Sequence, residues 1–168
     1  MVVIVVGVLV LVAFQGGFSF SPGRPSGGNT PTSDVQSGFS TAGRETDFAV
    51  VQPTGLPATW HGSSFSITPA PGTPVAPPSV RGGWQTPNGS YLTLIESSGG
   101  LIAVLGAEIG QTDGSTTGSV TAGGAQWGIS PGVRDEVAWS RTAKGVTLLI
   151  TGNATAAEFT QLAGALAS

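Results

Sequence analysis

Three glycine turns, each set between apolar residues in alternation, constrain this chain more than any other feature. They are Asn88-Gly89, Gly123-Gly124 and the stretch Thr142-Ala143-Lys144-Gly145. Glycine reaches the positive φ that tight turns demand, so such pairs reverse the chain within a few residues and place the flanking runs side by side as antiparallel strands. Counting across Asn88-Gly89 as a two-residue loop places Trp84, Tyr91, Thr93 and Ile95 on one face of a hairpin and Leu92 and Leu94 on the other. Across Gly123-Gly124 the residues Val120, Ala122, Ala125, Trp127 and Ile129 share a face, while Ser119, Thr121 and Gln126 form a wet one. A third hairpin joins Val137–Arg141 to Val146–Thr151.

Further strands are expected over Phe48–Gln52 and Trp60–Thr68, before a proline-rich surface connection from Pro69 to Pro78. Leu101, Val104, Leu105 and Glu108 recur at helical spacing after Gly99-Gly100, predicting a helix from Leu101 to Ile109. A final helix is signalled by Thr155 and Glu158 as a capping box and by the stripe Phe159, Leu162, Ala163 and Leu166. Four strands, a helix, four strands and a helix predict an α+β fold, a largely antiparallel sheet with both helices packed on it.

Ahead of this module the chain carries no charge until Arg24, and Met1 to Phe14 are all apolar or glycine. Twenty residues of helix span about 30 Å, the thickness of a bilayer's hydrocarbon core. No small-x-small cleavage site precedes Arg24, which favours an uncleaved transmembrane anchor over 1–20 rather than a removable signal. The lack of a basic residue before the apolar run points to a start upstream of Met1. Residues 21–46, rich in Ser, Gly, Thr and Pro, read as a disordered tether. Within it Val35, Phe39 and Ala42 permit one short helix starting at Asp34, against which Gly38 counts. The organisation expected is thus an anchor over 1–20, a tether over 21–46 and an α+β domain over 47–168 held outside the cytoplasm at the cell membrane.

Composition closes most catalytic repertoires. There is no Cys and a single histidine, His61, which excludes disulfides, thiol nucleophiles and Cys/His zinc sites. Six basic residues against nine acidic ones give no cationic surface for phosphates, so nucleic acid is not an expected partner. No cofactor is expected. Gly128-Ile129-Ser130-Pro131-Gly132 spells the nucleophile elbow of serine hydrolases, but Pro131 lacks the N–H that the oxyanion hole takes from the residue after the serine. His61 also precedes the serine, the reverse of that fold's chain order. Asp135 and Glu136, adjacent in sequence, read as a solvated loop. Asn88-Gly89-Ser90 and Asn153-Ala154-Thr155 fit the glycosylation triplet, although a turn and a helix cap account for them. The remaining candidates are aromatic: Trp84, Tyr91, Trp127 and Trp139, which either fill the core or line a groove for an apolar ligand.

Phe48 to Trp60 reads Phe-x-Val-x-x-Pro-x-Gly-Leu-Pro-x-x-Trp, Trp84 to Tyr91 reads Trp-x-Thr-Pro-x-Gly-x-Tyr, and Gly145 to Gly152 precedes a Glu-containing terminal helix. In this order, behind an apolar N-terminus, the motifs resemble the actinobacterial family called domain of unknown function 4245 over essentially the whole chain. The resemblance implies a membrane-anchored extracytoplasmic protein and supplies no catalytic residues. The function expected is a non-enzymatic module binding an envelope protein, lipid or cell-wall component. The alternative is a structural or assembly subunit of a membrane complex without its own ligand.

Overall fold

The computed structural model describes residues 33–68 and 77–167. Seven strands form one antiparallel sheet: β1 (His61–Thr68), β2 (Ser79–Gln85), β3 (Tyr91–Ser97), β4 (Gly118–Ala122), β5 (Ala125–Pro131), β6 (Val137–Ala143) and β7 (Val146–Gly152). The spatial order is β1-β2-β3-β7-β6-β5-β4, so two meanders join where β7 pairs with β3. Three helices accompany it: α1 (Val35–Glu45), α2 (Leu101–Ile109) and α3 (Ala156–Gly164). The α+β class expected from the turn signals is therefore the observed one. Among the described residues no helix is long and apolar enough to cross a membrane. The anchor expected over 1–20, the tether over 21–32 and most of the Pro69–Pro78 connection lie outside the described residues.

The two faces of the sheet are unequal. One carries the main core, with Trp84, Leu92, Leu94, Trp127, Trp139 and Ile150 under α1 and α3. The other is covered at its centre by α2, whose Val104 and Leu105 pack on Ile95, Ala138 and Leu149. An ion pair between Arg81 of β2 and Glu108 ties α2 to the sheet. Gly110 closes α2 in the left-handed conformation, φ 72°, which glycine adopts at no steric cost.

One glycine turn behaves as the sequence predicts. Gly123 and Gly124 have φ of 58° and 71° and pair Ala122 with Ala125, leaving Ser119, Thr121 and Gln126 exposed. The third hairpin is tighter than expected: Thr142 and Ala143 belong to β6, and Lys144 and Gly145, both at positive φ, form a two-residue turn between Ala143 and Val146.

The Asn88-Gly89 hairpin corrects the expectation. Trp84 pairs with Leu92 and Gln85 with Tyr91, so Trp84 shares its face with Leu92 and Leu94, and Tyr91 lies on the other side. The loop is three residues long, Pro87-Asn88-Gly89, closed by the Thr86 N–H on the Ser90 carbonyl at 2.9 Å and the Gly89 N–H on that of Thr86 at 2.9 Å. Proline favours the second position of a type I turn, and Gly89, at φ 77°, completes the left-handed step of a three-residue hairpin. One extra loop residue exchanges the faces of the whole strand.

Two further corrections concern the segment before β1. The helix allowed at Asp34 is formed and packed, with Val35, Phe39 and Ala42 all buried, so residues 33–46 belong to the folded unit and not to a tether. Asp34 caps it by accepting the Ser37 N–H at 3.0 Å and the Ser37 hydroxyl at 2.6 Å. Gly38, which counts against a helix by propensity, is what lets this one dock: a Cβ there would lie 2.5 Å from the Phe65 ring. Gly82 of β2 is its counterpart, leaving room for the Phe39 ring, which a Cβ would approach to 2.4 Å. Residues 48–52 are not a strand. Phe48, Val50 and Val51 pack on the core, and the Val51 N–H donates to the Glu96 carboxylate at 2.7 Å rather than to a sheet partner. The apolar run is buried as an irregular segment crossing the main-core face, pinned further on by the Thr54 N–H on the Ala165 carbonyl.

Candidate functional site

The four aromatic candidates do not meet in one groove. Trp127 is wholly buried, donates its indole N–H to the Ala122 carbonyl at 3.2 Å and carries the Arg141 guanidinium 4.9 Å above its ring. Trp139 packs on Phe159 of α3 with ring centroids 5.1 Å apart. Tyr91 is 39% exposed on the opposite face, its hydroxyl 3.4 Å from that of Ser64. Of the four, Trp84 lines the cleft at the start of α1.

That cleft has a volume of about 450 Å³. One wall is the N-terminal end of α1, with the cap Asp34, Gln36 and Phe39, and the opposite wall is the segment Pro53–Ala58. Proline fixes φ at two positions of that second wall, Pro53 and Pro57, and the Trp60 N–H bonds the Pro57 carbonyl at 2.9 Å. The floor is Trp60, Trp84 and Gly62. Phe39 stacks on Trp84 with centroids 6.0 Å apart and planes 7° from parallel, which anchors α1 to the floor. Gly62 allows the chain to enter the helix here, since a Cβ would sit 2.4 Å from the Ser33 carbonyl oxygen.

The electrostatics of the cleft are one-sided. Asp34 lines it, and the Ser37 hydroxyl and then its N–H hold the Asp34 carboxyl below its ordinary range, so the carboxylate persists to acid pH. Gln36 adds an amide, and no basic side chain lines the cleft. Two indoles, proline and leucine walls and one anion accept a neutral or cationic ligand with an apolar face and disfavour an anion. Trp60, expected as the first residue of a strand, instead precedes β1 and lines the cleft. Its position in a proline-bracketed segment was the available signal.

The residues of the hydrolase string stand far apart. Ser130 is buried on β5 and donates to the Ser115 carbonyl at 3.0 Å, whereas His61 is exposed at the start of β1. Five strand spacings of about 4.8 Å separate those strands, roughly 24 Å. Asp135 and Glu136 lie in the β5–β6 loop, where Arg134 and Asp135 take positive φ. Asn88 sits in a hairpin loop, and Asn153 accepts the Tyr91 N–H at 2.8 Å. Among the described residues no three His, Cys, Asp or Glu side chains come together.

Comparison with known proteins gives one family. The model described as protein of unknown function (DUF4245) matches residues 1–166. No match was found among curated proteins or among solved structures.

Proposed function

The chain belongs to the DUF4245 family, and from that premise we propose that it is a membrane-anchored, non-enzymatic module that binds an envelope component in the cleft between α1 and the Pro53–Ala58 segment. The observation that carries this reading is the cleft itself. Its volume of about 450 Å³ falls within the roughly 300–1,000 Å³ of small-ligand sites, and its apolar walls with a few polar groups match their usual make-up. The ligand is a component with an apolar face and no net negative charge, because Asp34 is the sole charged side chain in the lining. Support for anchoring comes from the uncharged, largely apolar first 23 residues, and the domain is proposed to lie outside the cytoplasm.

Two features speak against the alternatives. Among the described residues the exposed large apolar side chains, Tyr91 of β3, Ile102 of α2, Val133 of the β5–β6 loop and Val137 of β6, are four in number and come from four different elements, which supports a ligand site over a broad assembly face. A serine hydrolase needs its base within hydrogen-bond reach of the nucleophile, and the distance between Ser130 and His61 forbids that.

Complementation of a deletion strain tests the proposal. Ala58 is exposed and lines the cleft, so Ala58→Trp fills the site without removing core volume. This variant should fold, reach the membrane and fail to complement, whereas Ser130→Ala with His61→Ala should complement. The opposite pattern refutes the reading. Protease added to spheroplasts should remove the folded domain; protection would refute its placement.

A further inference from the structure

On the same sheet face, beyond the cleft, a second cavity of about 140 Å³ lies between the β6–β7 hairpin, the 49–51 segment and Leu166. Its walls are apolar, with Val51, Val146 and Leu148. Arg141 and Lys144 supply the only charges in the lining, both positive. The described residues carry five basic side chains in all, and two of them converge here. Neither has a carboxylate within ion-pair distance among the described residues, since the one ion pair there joins Arg81 to Glu108.

Arg141 is the more telling of the two. It shares a cross-strand row with Leu148 and Glu96 on the main-core face, yet the recorded bond of the Glu96 carboxyl is to the Val51 N–H. The guanidinium instead lies over Trp127, and its Nε is buried with no partner. A buried cationic donor without an acceptor is costly, and an anion in the adjoining cavity removes that cost. The ring of Trp127 fixes where the guanidinium points, so the site is formed before any ligand arrives.

We infer that this cavity is a binding site for a small organic acid anion, its carboxylate held by Arg141 and Lys144 and its short alkyl part against Val51, Val146 and Leu148. A water takes about 30 Å³ of liquid, so the space admits roughly five water-sized groups, enough for a carboxylate and a short chain. The site is distinct from the cleft at α1, which shares none of its lining residues and carries the opposite charge.

Intrinsic fluorescence of the full chain in a non-ionic detergent tests the inference, because Trp127 lies directly under Arg141. Titration with sodium butyrate should change the emission saturably, and the change should vanish in Trp127→Phe. Butanol, with the alkyl group and no charge, should give no saturable change, and inorganic phosphate, with charge and no alkyl group, should bind at least about tenfold more weakly. Lys144→Asn should weaken butyrate about tenfold, the loss of one charge-assisted contact. Asparagine tolerates the positive φ of 51° at this turn, so this variant keeps the hairpin and decides the matter even where Arg141→Gln fails to fold. A flat butyrate titration, equal binding of butanol or phosphate, or an unchanged Lys144→Asn overturns the inference.

Discussion

Glu96 makes the stability of this domain depend on pH with an unusual sign, and Glu96→Gln exposes it. The side chain is fully buried at mid-sheet; one carboxyl oxygen accepts the Val51 N–H at 2.7 Å and the other has no partner among the described residues. Burial pushes its pKa from 4.5 up to about 8, and the Val51 hydrogen bond opposes this too weakly to cancel it. The folded state therefore keeps a proton that the unfolded state releases above pH 4.5. Its contribution is full below pH 4.5 and is lost as pH rises towards 8, at up to about 1.4 kcal/mol per pH unit. By pH 7 that amounts to about 3 kcal/mol, and across the whole window to about 5 kcal/mol. Glutamine keeps an acceptor for Val51 and cannot ionise, but its amide nitrogen brings donors to a position without partners, costing about 1 to 3 kcal/mol. The variant should thus be less stable than the parent at pH 5 and more stable at pH 8, with the two curves crossing near about pH 6 by the same arithmetic. Denaturant midpoints of both proteins from pH 5 to 8.5 measure this, and subtracting them cancels every titrating group they share. A difference that stays constant with pH refutes the reasoning.

Other predictions rest on single contacts. Thr155→Ala removes the cap oxygen that accepts the Glu158 N–H at 3.3 Å and one of the donors to the Glu158 carboxylate, and should cost about 0.5 to 2 kcal/mol in a denaturant melt. The Thr155 N–H chiefly holds the Glu158 carboxyl below its usual 4.5, so the stability it gives is present above that pH and lost as pH falls; Glu158→Gln should flatten the acid limb of the stability curve. Gly82→Ala drives a Cβ to 2.4 Å from the Phe39 ring and should cost about 1 to 3 kcal/mol, read as a lower thermal midpoint and a weakened α1 in hydrogen exchange.

Much of the fold was legible because its turns are chemical. Gly123-Gly124 set its register, and the Thr155–Glu158 box set a helix start, from local residues alone, whereas the stretch Thr142–Gly145 marked a reversal but not that Thr142 and Ala143 pair within it. Asn88-Gly89 misled because Pro87 recruits a third loop residue, a choice that depends on how the turn is closed rather than on the pair itself. The region before β1 was harder. Gly38 weakens α1 by propensity and is explained only by Phe65, which the sheet brings against it from a distance in sequence. The run Phe48–Gln52 has the alternation of a strand, yet its partner is one buried carboxylate and not a neighbouring strand. Glu96 itself was visible in principle, since Leu92, Leu94 and Glu96 share one side of β3 by simple alternation. Of the aromatic candidates only Trp84 faces the cleft, because the cleft's walls come from a helix and an irregular segment that strand counting does not locate.

The proposal that the cleft at α1 holds a ligand is tested most directly by a photo-crosslinking side chain introduced at Ala58, on the cleft, and separately at Thr121, on the wet face of β4, in membranes of cells expressing the full chain. A discrete adduct is expected from position 58, lost when Gln36→Trp also fills the cleft, and none from position 121. Equal labelling at both positions, or none at Ala58 in a folded and correctly placed protein, contradicts it.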